Sequence, residues 1–161
     1  MERTLVLIKS DGVQRGLVGR ITQRFEDAGL KIVGLKMAWV DLEFARKHYF
    51  DLEERKGQEI FKNTTEYLTE GPVAAIVLEG VEAADNVRRI TGATEPKSSA
   101  PGTIRGDFAH QSYGYTDATG RAIRNLIHAS GNAEEAAMEI KLWFGDEELH
   151  DYTTDAQKHT F

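Results

Sequence analysis

Asn125-Leu126-Ile127-His128-Ala129-Ser130, followed after Gly131 by Asn132-Ala133-Glu134-Glu135, is the stretch whose reading decides the fold. Asn125 to His128 reads as a short strand that ends on a histidine. The Asn132–Glu135 tetrad has the form of a capping box: an Asn side chain, and a Glu three residues on, satisfy N–H groups that a first helical turn leaves unpaired. A strand that runs directly into a capped helix is the closing half of a strand–helix unit. The rest of the chain is read outward from that junction.

At the far end, Thr4-Leu5-Val6-Leu7-Ile8 is a buried first strand, rich in aliphatic residues and flanked by charges. Leu17, Val18, Ile21, Phe25 and Ala28 recur at helical spacing, and Gly29 stops that helix. Leu30 to Val40 is a second strand with partial alternation. Asp41 caps a short helix carrying Phe44, Ala45, His48, Tyr49 and Leu52. A helix around Glu59 to Leu68 ends before Gly71-Pro72, and Val73 to Leu78 is a third strand. Glu82 to Thr91 is helical, with Ala84, Arg88 and Thr91 on one face. Gly92 to Asn125 is irregular and rich in small residues, with Pro96 and Pro101. Compact domains carry that much irregular chain mainly where it serves binding. The order βαβ, helices, βαβ matches a ferredoxin-like split βαβ arrangement, an α+β sandwich of βαββαβ type.

The 161 residues are expected to form one domain spanning 1–161, since that length buries roughly 70% of the surface its unfolded chain exposes. With no cysteine, disulfides, thiolate-bound zinc and thiol catalysis are excluded together. The apolar run after Met1 is too short for a membrane span and lacks signal-peptide anatomy, so a cytoplasmic protein without membrane partners is expected. A net charge of −6 argues against a general nucleic-acid binder, which needs basic patches to displace counterions. An anionic small ligand remains compatible, because Lys9, Arg88, Arg89 and Arg105 can converge locally on an acidic molecule.

A lone histidine is usually structural. His128 differs in its company: it stands at a strand end beside a helix start, and Gly102-Thr103-Ile104-Arg105-Gly106-Asp107-Phe108 precedes it. There an imidazole is placed to attack a bound phosphate. No Walker A loop, Gly-rich kinase loop, nucleophile elbow or HExxH pattern occurs.

From Lys9-Ser10-Asp11-Gly12-Val13-Gln14-Arg15-Gly16-Leu17-Val18-Gly19 to Glu147-Glu148-Leu149, with the two motifs above between, the chain closely resembles nucleoside diphosphate kinases. The resemblance implies a four-stranded antiparallel sheet with helices packed on it. It also implies a ping-pong cycle in which an NTP, typically ATP, phosphorylates His128 and a second NDP or dNDP collects the phosphate. It implies that Ser130 and Glu139 support the histidine with Tyr49 close by, that Arg88, Thr94 and Arg105 bind phosphates, and that Lys9 lies near phosphates and ribose. Asn125 would bind the sugar hydroxyl, and Phe61 would stack on the base. Mg²⁺ would arrive with the nucleotide, held through phosphates and water without a direct protein carboxylate. Taken alone, Glu139 and Arg88 would be solvated helix charges, Thr94 a loop cap, Asn125 a turn residue, and Tyr49 and Phe61 helix-core aromatics. Arg89 fits such a surface role. Partners would be nucleoside di- and triphosphates and further copies of the chain, a homohexamer in preference to a tetramer, with the tail 150–161 bridging subunits.

Four departures from the family pattern stand out. Ser10 replaces a proline. Lys56-Gly57-Gln58 reads as an insertion where family members commonly have a Pro-Phe-Phe run, and Ile60 stands before Phe61. Residues about 111–122 are inserted, and Gly114 and Gly120 suggest a flexible excursion bordering either the nucleotide site or a subunit contact. Gly131 stands where an aspartate is common. Two rival readings are a nucleotide-binding regulatory module that has lost the chemistry, and an interaction protein whose arginines serve acidic partners. Joint retention of Lys9, Arg88, Thr94, Arg105, Asn125, His128 and Glu139 is unexpected for either.

Overall fold

A computed structural model describes all residues, Met1–Phe161. The elements run β1 (Glu2–Ile8), α1 (Ser10–Gln14), α2 (Val18–Asp27), β2 (Lys31–Ala38), α3 (Leu42–His48), α4 (Leu52–Lys56), α5 (Gln58–Thr69), β3 (Val73–Gly80), α6 (Ala83–Thr91), α7 (Ile104–Phe108), α8 (Tyr113–Thr119), β4 (Ile127–Ala129), α9 (Ala133–Trp143) and α10 (Gln157–Thr160), with 3₁₀ turns at Pro96–Ser98 and Asp146–Glu148. The strands order as β2-β3-β1-β4, with every neighbouring pair antiparallel. This is the ferredoxin-like α+β sheet that the element order predicts. No helix is long and apolar enough to cross a membrane.

The unbroken apolar run of β1 follows from burial on both faces, which removes the alternation of a half-exposed strand. Val6 and Ile8 point into one core with Ile21 and Phe25 of α2 and Val87 of α6. Leu5 and Leu7 point into the other, with Ala45 of α3, Leu68 of α5, and Ile140 and Trp143 of α9. All eight residues of β3 are buried for the same reason. A side chain such as Phe25, fully buried, contributes about 2–3 kcal/mol by leaving water.

Caps read from the sequence are made. The Asp41 side chain accepts from the Phe44 N–H, and that of Asn132 from the Glu135 N–H. Glu135 does not close the capping box on Asn132; its carboxylate takes the N–H of Gly131, one residue earlier, at 2.9 Å.

Two expectations are corrected. The fourth strand starts at Ile127 rather than Asn125, because Leu126 has φ +68° and breaks the extended run. The insertion, expected as a loop, carries a helix of its own. Ser112 caps it by accepting from the Tyr115 N–H, Tyr113–Thr119 forms a helical turn, and Gly120 ends it with φ +62°. Backbone and side-chain bonds tie its flank down: the Lys97 N–H to the Gln111 carbonyl at 3.0 Å, and the Arg124 N–H to Gln111 Oε1 at 2.7 Å.

Candidate active site

A cavity of about 830 Å³ opens beside β4, walled by α3–α5 on one side and by α6, the Gly92–Thr94 loop and α8 on the other. Its floor is built around one strained turn. The Ile127 N–H donates to the Asn125 carbonyl at 2.8 Å, closing a three-residue turn on Leu126. A non-glycine residue held left-handed costs about 1–3 kcal/mol and persists only where its surroundings over-determine it. Here they do. The Asp11 carboxylate takes the Leu126 N–H, the Lys9 N–H donates to the Leu126 carbonyl, and the Leu126 side chain is fully buried.

Arg105 brackets the same turn. Its guanidinium donates to the carbonyls of Asn125 at 3.1 Å, Gly92 at 3.1 Å and Ile127 at 2.6 Å. Burial, then the nearby charge of Arg88, pulls its pKa down to about 10. The turn swings the Asn125 side chain inward, where Oδ1 accepts from Lys9 Nζ at 2.9 Å and Nδ2 donates to the Thr94 carbonyl at 2.9 Å. Lys9 sits only 6% exposed. Burial foremost, then the charge of Arg105, brings its pKa down to about 7, against an opposing pull from Asp11. An anion entering the cavity would favour its ammonium form.

His128 lies at the next position but one along the chain from Leu126. Its Nε2 is 2.9 Å from Glu139 Oε1 and 3.1 Å from Oε2. Glu139 reaches it from the second turn of α9, and Ser130 donates its hydroxyl to Glu139 Oε2 at 2.5 Å from beneath the cavity floor. Ser130 is fully buried and meets the Leu5 backbone N–H and carbonyl, both at 3.3 Å, which ties the carboxylate to β1. A carboxylate bonded to one imidazole nitrogen selects the N–H there and leaves the lone pair on the other, Nδ1.

Aromatic rings enclose the imidazole. Tyr49 lies edge-on to it at 6.0 Å between centroids, and His48 at 4.5 Å. His48 is buried, and Trp143 Nε1 donates to its Nδ1 at 3.2 Å. Desolvation, with His128 and Lys9 adding to it, holds the His48 pKa well below the ordinary value, so the ring is neutral. Burial pushes the Tyr49 phenol up, which keeps its proton on. Neither residue supplies charge; together they wall the histidine.

Of the ten residues expected at the site, Lys9, Tyr49, Arg88, Thr94, Arg105, Asn125, His128 and Glu139 line the cavity. Ser130 stands below it and acts through Glu139. Phe61 does not line it, which corrects the base-stacking assignment. On α5 the cavity-facing residues are Ile60, Thr64 and Tyr67, spaced four and three apart, whereas Phe61 shares its face with the buried Thr65 and Leu68. Phe61 stands one helical position, about 100°, from the cavity-facing Ile60. Arg89 also stays outside, donating to Asn86 Oδ1 at 3.2 Å.

Sequence reading missed several participants. His48 adjoins Tyr49 in sequence, but only the packing against Trp143 and His128 reveals its place. Asp11 lay inside the motif already quoted. Arg124, paired with Glu70 at 2.5 Å and stacked on Tyr67, adjoins Asn125 and had no signal of its own. Tyr113 enters from the insertion.

A ferredoxin-like sheet that offers a carboxylate-oriented imidazole to a cavity lined by Arg55, Arg88, Arg105, Lys9 and Lys56 is built for phosphoryl transfer. Residues 2–149 match the family model for nucleoside diphosphate kinase. The chain is 52% identical over 152 residues to a nucleoside diphosphate kinase of Pyrococcus furiosus, covering 94% of this chain and 88% of that one. It superposes on the nucleoside-diphosphate kinase of Borrelia burgdorferi with bound vanadate and ADP at TM-score 0.96, with 43% identity over 99% of this chain and 96% of the other. A halophilic nucleoside diphosphate kinase from Halobacterium salinarum in complex with CDP gives TM-score 0.83 at 42% identity, over 99% and 98% of the two chains. The chain belongs to the nucleoside diphosphate kinase family. It is a phosphotransferase that moves phosphate between nucleotides.

Proposed function

We propose that the phosphate passes through Nδ1 of His128. One observation carries this: Nε2 is bonded to Glu139, so the ring nitrogen with a free lone pair is Nδ1, in a residue that lines the cavity. That lone pair attacks the terminal phosphorus of a nucleoside triphosphate. An N–P bond forms, the bond from phosphorus to the bridging oxygen breaks, and the diphosphate leaves with the electron pair. The ring gains positive charge as the bond forms, and the Glu139 carboxylate at Nε2 stabilises it. A second NDP or dNDP reverses each step with one of its own terminal oxygens. Arg88, Thr94 and Arg105 receive the phosphates, and Lys9 and Asn125 the ribose and adjoining phosphate. Each charge-assisted hydrogen bond contributes about 1.5–3 kcal/mol, so a few suffice for binding.

Magnesium is part of this proposal as a companion of the nucleotide, where it screens phosphate charge. Of the four carboxylates lining the cavity, Asp51, Glu134, Glu135 and Glu139, three are already engaged, Asp51 with Arg55, which suits that role better than a direct ligand set. Glu139 is committed to His128 and Ser130, and Glu135 to the Gly131 N–H. His48, His128 and Glu139 lie close enough to gather round a cation, but two imidazoles suit a softer metal than magnesium. The base is taken to rest against Ile60, an apolar side chain that reads no hydrogen-bond pattern. We also propose a homo-oligomer, with a hexamer preferred: β2 is an edge strand, Leu35 and Met37 expose 57% and 62% of their surface on it, and Trp39 just past its end exposes 70%.

Incubation with ATP and magnesium is expected to yield an acid-labile phosphate on the intact protein by mass. His128→Ala should lose that adduct and still bind ADP. An adduct that survives the substitution overturns the assignment of the nucleophile.

A further inference from the structure

The inserted segment brings a side chain to the cavity that none of the expected site residues supplies. Tyr113, the first residue of α8, lines the cavity together with Arg88, Thr94 and Arg105. Of its polar atoms, the backbone N–H is engaged, donating to Glu95 Oε1 at 2.9 Å. The other oxygen of that carboxylate accepts from Ser98, so α8 is latched to the loop that carries Thr94. The side chain is thereby positioned from its backbone end while the residue stays 46% exposed, open to a ligand.

The charges around the phenol indicate which part of a ligand it meets. Burial and Glu95 push its pKa up, and Arg105 pulls it down, so the hydroxyl stands within electrostatic reach of the guanidinium that also feels Arg88. It is a protonated donor on the same cavity wall as Arg105. Arg105 has already given three of its N–H groups to carbonyls. Five donors on a guanidinium leave it two for an anion. A phosphate chain has more oxygen lone pairs than those donors can satisfy, and a neutral O–H fits there without adding charge.

We propose that Tyr113 is a further nucleotide-binding residue, whose phenolic hydroxyl donates a hydrogen bond to the phosphate chain of the bound nucleoside di- or triphosphate. This rests on reading the cavity as the nucleotide site. The helix Tyr113–Thr119 is then a functional wall of the cleft, supplying a neutral donor.

The test measures ADP and adenosine affinities by calorimetry, in the presence of magnesium, for the full chain and for Tyr113→Phe. It also compares KM and kcat, and the yield of acid-labile phosphate, in both proteins. Loss of one hydrogen bond to a charged group at a partly open site is expected to weaken ADP about tenfold. The KM for NDP should rise by a similar factor, with adenosine affinity, kcat and melting temperature unchanged. Equal ADP affinity in the two proteins, or an equal loss for ADP and adenosine, overturns the proposal. Because binding is read separately from chemistry, absence of a phosphoenzyme in the unsubstituted chain would sink the phosphohistidine reading and still leave the Tyr113 measurement decisive.

Discussion

The floor and the walls of the cavity are built on different terms. On the floor, Lys9, Asn125, Arg105, His128, Ser130 and Glu139 are bonded to one another or to the backbone of β1, β4 and the Leu126 turn. The walls carry exposed side chains, Ile60 at 48% on α5 and Tyr113 at 46% on α8, on helices beyond the sheet. The difference teaches where each kind of change is tolerated. A floor residue cannot be altered without orphaning a buried partner, whereas a wall residue can be exchanged or supplied by an insertion.

Substitutions on the two sides should therefore fail differently. His128→Ala is expected to lower turnover by about 10⁴-fold or more, the scale of removing a nucleophile in other covalent enzymes, with ADP affinity retained in calorimetry. Glu139→Ala leaves the nucleophile but frees its ring, and kcat should fall about 10²-fold or more with ADP affinity within about twofold. A rise in KM with unchanged kcat would place Glu139 with the binding groups and blur the distinction between floor and wall.

Lys9 sharpens the same comparison through protons. Its folded pKa, about 7, lies below the roughly 10.4 of an unfolded lysine, so between those values the unfolded chain binds more protons. This group therefore makes stability rise with pH across that window. Bound phosphates favour the ammonium form, so ADP binding at pH 8 should take up a proton. Calorimetry in two buffers of different ionisation enthalpy reads that uptake directly. Lys9→Met should show none, and persistent uptake would assign the proton to another group.

The smallest expected effect distinguishes two neighbours on α5. Ile60→Ala should weaken ADP about three- to tenfold by removing apolar wall surface, with little change in melting temperature. Phe61→Ala should lower the melting temperature and leave ADP affinity intact. The reverse pattern would restore Phe61 to the base site.

How much was legible in the sequence varies with the kind of signal. Strands β1 and β3 declared themselves because burial on two faces leaves an unbroken apolar run. Asp41 and Asn132 declared helix starts because capping is local chemistry. The Phe61 expectation failed because counting back along the chain from Tyr67–Pro72 locates a residue in sequence but not its angle around a helix, and one position is about 100°. The insertion was read as flexible because its glycines are visible, while its anchors, Glu95 and Gln111, lie outside the helix itself.

By itself, the sequence determined that a histidine at a strand end meets an arginine-bearing loop and a capped helix on an α+β frame, because periodicity and capping are encoded within a few residues. Only the tertiary structure decided which imidazole nitrogen is free, how far Lys9 is desolvated, and that Ile60 and Tyr113 face the cavity. Those properties depend on groups separated in the chain: Glu139 from His128 across a helix turn and a loop, Lys9 from Asn125 across the sheet, and Tyr113 from Arg105 across an insertion. Distance in space sets electrostatics and hydrogen bonding, and a linear pattern does not contain it.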